Sequence, residues 1–377
     1  MNDVEMPALT GDSPLGILAA MGVLRLLSDF TEDQPRLRWN PKTLVAVLST
    51  RHENLDGVVT ALSGIVAAMP NGAVLPGVVA GFPPGAAGKD GLRVSPAELR
   101  IVYEAMTASM KDDQCEEVRR WLASIVTDLA TKTGQKTKKV KATIVAGPDA
   151  DVVETPLIIA EKAGDVAMEV AGTDVDGGQD ADQKTKKVKV ATSQYIAFAS
   201  SQTMVSMFRK SLAYVRANPD YLRQALVGWR RVAGVTGEGL DHRAMWSAAE
   251  DGGGGFRPDG PEPLGRGVPG ATWLALMSYP LLRTTAVTRD RACSSGWHVV
   301  TVRGLQTDEL RLPVWQQPLT CAAISALIEH IALRTDKGGT GLSGSPAELR
   351  ALGVLRVCRA RRRREEKWDG PLVPTET

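Results

Sequence analysis

The hexapeptide KTKKVK occurs twice in this chain, at Lys136 to Lys141 and at Lys184 to Lys189, and the 42 residues between the copies carry ten carboxylates against one base, Lys162. A stretch with that charge density reads as an insertion, not as a continuous part of a core. It divides the chain into a helical N-terminal region (1–131), the acidic insertion with its basic flanks (132–190), an α+β C-terminal region (191–358) and an Arg-rich tail (359–377). Thr and Val suit a strand, where side chains alternate faces. In each copy, Lys136 and Lys138 would then point one way and Lys139 and Lys141 the other, with Lys184, Lys186, Lys187 and Lys189 repeating the pattern. Two matching strands paired across the insertion would form a basic ribbon suited to a phosphate backbone. The alternative is a solvated edge hairpin whose lysines only prevent edge pairing.

At 377 residues, 43% hydrophobic and 23% charged, the chain has ordinary globular composition and is long enough for two domains or one elaborated one. Its formal net charge is only +2, so nucleic-acid binding must come from local patches. Cys115, Cys293, Cys321 and Cys358 are scattered, without a CxxC pair or a histidine at ligand spacing. That pattern points to a reducing, cytoplasmic setting and to no zinc site. The apolar stretch Leu15 to Leu27 is interrupted by Gly16, Gly22 and Arg25, so neither a signal peptide nor a membrane span is expected.

Local signals set out the elements. In GDSPLGILAAMGVLRLLSD, Asp12 or Ser13 can cap a helix with Pro14 in its first turn, and Leu15, Leu18, Ala19, Gly22 and Leu26 make one apolar face. Gly22 is expected where another element packs closely. Asn54 to Met69 reads as a second helix and Pro70 to Gly91 as loop. Ser95 opens a third helix with capping-box spacing to Glu98; the same SPAELR string returns at Ser345, and Glu116 to Ala130 is another amphipathic helix. Residues 191–226 read as a short strand and two helices broken at Asn218-Pro219. Glycines dominate from Gly234 to Gly270, and ATWLALMSYPLLRTTAV reads as a helix ending near Pro280. WHVVTVRGL and ELRLPVWQQPL read as two strands joined around Gln306 to Glu309, followed by one long helix from Thr320 to Leu333. Helices and short antiparallel strands mix without a βαβ rhythm, so the fold class is α+β, carrying an inserted basic/acidic hairpin-like segment.

The four histidines, His52, His242, His298 and His330, form no HExxH or HxH pattern, and no GxxxxGK[ST] loop or GxSxG elbow is present. The pair Asp241-His242 reads first as an ordinary hydrogen-bonded loop histidine. No cofactor or metal is expected, and the chain reads as non-catalytic. Arg361, Arg362, Arg363 and Arg364 join the eight lysines as candidate phosphate contacts, since arginine forks suit phosphate oxygens.

SPLGILAAMGVLRLL, LDHRAMWSAAEDGG, VPGATWLALMSYPLLRTTA and LRLPVWQQPLT together resemble segments of the large-subunit and associated-subunit proteins of CRISPR type I surveillance complexes, especially the type I-G group, formerly I-U. The resemblance rests on Gly22 to Arg25, on Asp241 and Arg243, and on Pro269, Gly270, Ala271, Trp273, Leu274 and Ala275. It implies a subunit of an antiviral RNA-guided complex that contacts CRISPR RNA or target DNA beside other effector subunits. Two other readings differ in class. One is a protein-only scaffold whose lysines dock on an acidic neighbour; the other is a metal-dependent nuclease using a carboxylate such as Asp241.

Overall fold

The computed structural model describes residues 1–69, 92–94, 137–144, 153–160, 188–190, 194–195, 204–235, 237–242, 266–282, 284–288, 291–364 and 369–375. Strand β1 (Asn2–Thr10) leads into helix α1 (Pro14–Phe30), where the Ser13 side chain accepts from Gly16 N and Pro14 sits in the first turn. Every residue of α1 from Pro14 to Leu27 is buried. A helix apolar on all sides must be enclosed on all sides. Strands β2 (Arg36–Trp39) and β3 (Val45–Thr50) pair antiparallel with β1 in the order β1-β3-β2. Helix α2 (Leu55–Ala68) follows, capped by Asn54 through Gly57 N.

Four strands then appear in two separate pairs. β4 (Leu92–Val94) pairs with β7 (Val188–Val190), and β5 (Thr137–Ile144) with β6 (Val153–Ala160), both antiparallel. Helices α3 (Met204–Ala217) and α4 (Asp220–Val227) break at Asn218-Pro219, and β8 (Val232–Ala233) pairs with β9 (Arg266–Gly267). Helix α5 (Pro269–Met277) is buried at all its positions. A 3-10 turn, Tyr279–Leu281, precedes the hairpin of β10 (Thr284–Thr288) and β11 (Arg291–Ser294). Strands β12 (Trp297–Val302), β13 (Leu305–Trp315), β14 (Val354–Arg364) and β15 (Asp369–Pro374) form an antiparallel sheet in sequence order. Between β13 and β14 lie α6 (Cys321–Ile328), a 3-10 turn at Ile331–Leu333, and α7 (Pro346–Ala351).

The fold is α+β, and α1 and α5 are its axis. A Cβ built on Gly22 would overlap the Leu274 carbonyl, and one on Gly270 would overlap the Tyr221 carbonyl of α4. These glycines let three helix backbones approach closely. The two main sheets meet where Leu37 and Leu319 exchange backbone hydrogen bonds of 2.9 Å. Trp315 Nε1 also donates to Leu37 O at 2.7 Å, and Trp39 meets Trp315 edge-on at 6.1 Å.

Several expectations change. The N-terminal region is not helical throughout: β1, β2 and β3 make a sheet. In β1 only Val4, Met6 and Leu9 are buried among polar and charged neighbours, too sparse a pattern to stand out from sequence. The β12–β13 turn is Arg303-Gly304, both at positive φ (50° and 78°), as a tight two-residue hairpin requires. Gln306 to Glu309 therefore lie inside β13. The expected helix over 320–333 stops at Ile328: His330 adopts an extended conformation and its ring accepts from Ala332 N. The helices expected from Ser95 and over Glu116 to Ala130, the loops at 70–91 and 243–265, and the strand before α3 lie outside the described residues.

Candidate functional site

The first hexapeptide forms much of β5, as its Thr and Val favoured, but its partner is β6. Lys138 stands opposite Ile159, Lys139 opposite Ile158 and Lys141 opposite Pro156. The second copy enters β7, where Lys189 stands opposite Arg93. Among the described residues the copies do not pair with each other, which corrects the expected ribbon. Two copies paired antiparallel in full register would set four lysines against four, whereas the β4–β7 pairing opposes only Lys189 to Arg93. In β6 the residues directly opposite Lys138, Lys139 and Lys141 are uncharged. Lys136, Lys184, Lys186 and Lys187, and most of the acidic insertion, lie outside the described residues.

The arginines of the expected tail belong to a sheet. Arg359 through Arg364 fall within β14, bonded to β13 on one side and to β15 on the other. Strand alternation sorts them onto two faces. Arg362 lies on the face of Cys358 and Ala360, donates to the carbonyls of Gln194 (2.9 Å), Gly239 (3.1 Å) and Gly370 (3.1 Å), and lies over the Trp297 ring. It braces the core against neighbouring loops. Arg361 lies on the opposite face and clasps Glu309 through Nε (2.9 Å) and Nη2 (2.5 Å). Arg363 is exposed, and Arg364 pairs through its backbone with Asp369.

That second face carries a buried ionic network. Glu309 and Arg311 alternate with Leu310 and Leu312 along β13, so the leucines enter the core and the charges share the other side. Arg311 is fully buried, donates from Nε to Glu309 (2.9 Å), and bonds the Gly341 carbonyl through Nη1 (2.9 Å). Burial lowers the Arg311 pKa, and the Glu309 carboxylate opposes that shift. His298 stands opposite Glu309 in the register, and burial, with the repulsion of Arg311, holds its pKa down at about 4. The imidazole is neutral at pH 7.

Asp241 is 2% exposed and forked by Arg231, Oδ2 to Nη1 at 2.5 Å and Oδ1 to Nη2 at 3.1 Å. Arg231 also donates to the Arg266 carbonyl, tying the segment after α4 to β9. Both carboxylate oxygens are thereby engaged in an ion pair. Among the described residues no three of His, Cys, Asp and Glu are grouped to hold a metal ion. Glu238, three residues earlier, is buried at a positive φ of 49°.

Sequence reasoning missed Glu309, Arg311 and His298 as a unit. The alternation of charge and leucine in ELRLP was visible, but pairing with Arg361 needed the β13–β14 register, which joins residues 52 apart. No protein-family model and no curated protein sequence matches this chain. No helix among the described residues is long and apolar enough to cross a membrane.

Proposed function

We propose that this protein is a non-catalytic, nucleic-acid-binding subunit of an RNA-guided antiviral complex, gripping the backbone of CRISPR RNA or target DNA mainly through the lysines of the β5–β6 hairpin. The observation that carries the reading is the register of that hairpin. Lys138, Lys139 and Lys141 stand opposite Ile159, Ile158 and Pro156, so no carboxylate lies directly across the strand pair from any of them. A lysine-rich strand whose directly opposed residues are uncharged suits an external polyanion. The resemblance of the Gly22 to Arg25 and Pro269 to Ala275 segments to CRISPR type I subunits supplies the kind of complex. The arginines contribute less than their number implies, since Arg361 and Arg362 are engaged within the fold.

The test is binding of the full chain to single-stranded RNA and to duplex DNA between 50 and 200 mM salt, with and without replacement of Lys138, Lys139 and Lys141 by Gln. At about 0.9 per phosphate, losing three contacts lowers the logarithmic salt slope by about 3 units at most. An unchanged slope, or no binding at low salt, overturns the reading. In the latter case the protein-only scaffold takes its place.

A further inference from the structure

On the outer face of the β12–β15 sheet, one row of residues holds three buried polar groups without partners. Arg311 stands directly opposite Arg359, and Thr375, just past the end of β15, donates its backbone N–H to the Arg359 carbonyl at 2.9 Å. The three side chains therefore occupy neighbouring positions on one face. Arg311 Nη2, Arg359 Nε and Thr375 Oγ1 are each buried with no hydrogen-bond partner. One such group is an ordinary irregularity; three in a row need an explanation.

The charge count points the same way. Glu309 gives Oε1 to Arg311 and Oε2 to Arg361. Arg359 has no carboxylate partner among the described residues. These two rows thus set three guanidinium groups against one carboxylate, and Asp336 acts on Arg311 as a second acid, leaving an excess of one positive charge with His298 neutral beside them. Arginine does not shed its proton to relieve this. Like charges directly opposite across a strand pair repel, and donors buried without acceptors lose their hydration without recompense.

We propose that Arg311, Arg359 and Thr375 form a phosphate-binding site. A phosphate group brings negative charge and several acceptor oxygens, answering both the charge excess and the three orphaned donors. Arginine forks favour the tetrahedral oxyanion, and the threonine hydroxyl donates a further bond. Access is from the side of Arg359 and Arg361, which are only partly buried, while Arg311 forms the floor. The phosphate is either free or part of a nucleic-acid backbone, and the site does not depend on the lysine hairpin.

The experiment is thermal melting of the full chain in inorganic phosphate against chloride at matched ionic strength. Phosphate should raise the melting temperature of the wild type, and Arg359→Gln should abolish the rise. In chloride, Arg359→Gln should melt no lower than wild type, because it removes a repulsion. Arg359→Lys keeps the charge without the fork and should show a smaller phosphate-dependent rise than wild type. No rise in the wild type, or an equal rise in wild type and Arg359→Gln, overturns the site. Duplex DNA separates the two sources. If the site holds a backbone phosphate, Arg359→Gln lowers the salt slope by about one unit and inorganic phosphate competes with DNA. If it holds free phosphate, the slope is unchanged while the melting effect remains. That effect stands even where no nucleic acid binds, so failure of the functional proposal and failure of this site are distinguishable.

Discussion

Replacing Gly22 by alanine is the sharpest test of the helical axis, because an identical change elsewhere should act in the opposite direction. A Cβ at Gly22 would lie 2.7 Å from the Leu274 carbonyl carbon and 3.3 Å from its Cα, and nearer still to the oxygen. Carbon atoms in contact prefer a separation of about 3.5 Å or more, so α1 and α5 must part by roughly an ångström. The obstacle is helix backbone, with no side chain able to swing away. Overpacking of this kind costs up to about 3 kcal/mol, and alanine recovers about 1 kcal/mol in helix propensity, leaving a net loss of about 2 kcal/mol. Gly64, exposed in α2, has no atom within 4 Å of its notional Cβ. Gly64→Ala should gain about 0.5 to 1 kcal/mol from propensity alone. Urea unfolding followed by circular dichroism compares the two variants directly. Equal stabilities, or a Gly22→Ala variant as stable as wild type, would refute the close approach of α1 and α5.

Glu309→Gln should cost about 3 to 5 kcal/mol, since it leaves Arg311 buried without its counter-charge, whereas Glu329→Gln at the surface should stay within about 0.5 kcal/mol; urea midpoints decide. Acidification should destabilise the protein through His298. Its pKa falls from 6.5 to about 4 on folding, so between those values the unfolded chain binds the extra proton and stability drops as pH falls. After allowance for the ring's partial exposure the loss is about 2 kcal/mol, and His298→Asn should flatten that part of the stability–pH curve; an unaltered curve would exclude the histidine as its source. Ending the chain at Cys358 removes half of β14 and all of β15, with buried Ala360 and Leu372, so the product should fail to fold and not merely lose nucleic-acid affinity. A truncated protein melting like wild type would contradict the sheet.

Much of the candidate site could be located from sequence, but its pairing could not. Lys138, Lys139 and Lys141 of the first hexapeptide lie on a strand as their neighbours indicated, yet that strand pairs locally with Val153–Ala160. The run from Arg359 to Arg364 looked like a basic terminus because arginines rarely occupy a sheet interior. It is interior because two of its partly buried arginines found partners distant in sequence, Glu309 for Arg361 and the carbonyls of Gln194 and Gly239 for Arg362, while Arg359 did not.

The sequence by itself determined several helix starts and one helix break. Ser13, Asn54 and Ser345 cap where their side chains can reach a backbone N–H three residues on, and Asn218-Pro219 separates α3 from α4. These signals act within one turn of chain, so they survive in any fold. Only the tertiary structure decided what the charges do. Whether an arginine faces water, a carboxylate or another arginine depends on strand register and on contacts between residues far apart in sequence. Glu309 therefore satisfies Arg311 and Arg361, and the same register leaves Arg359 beside Arg311 with no acid of its own.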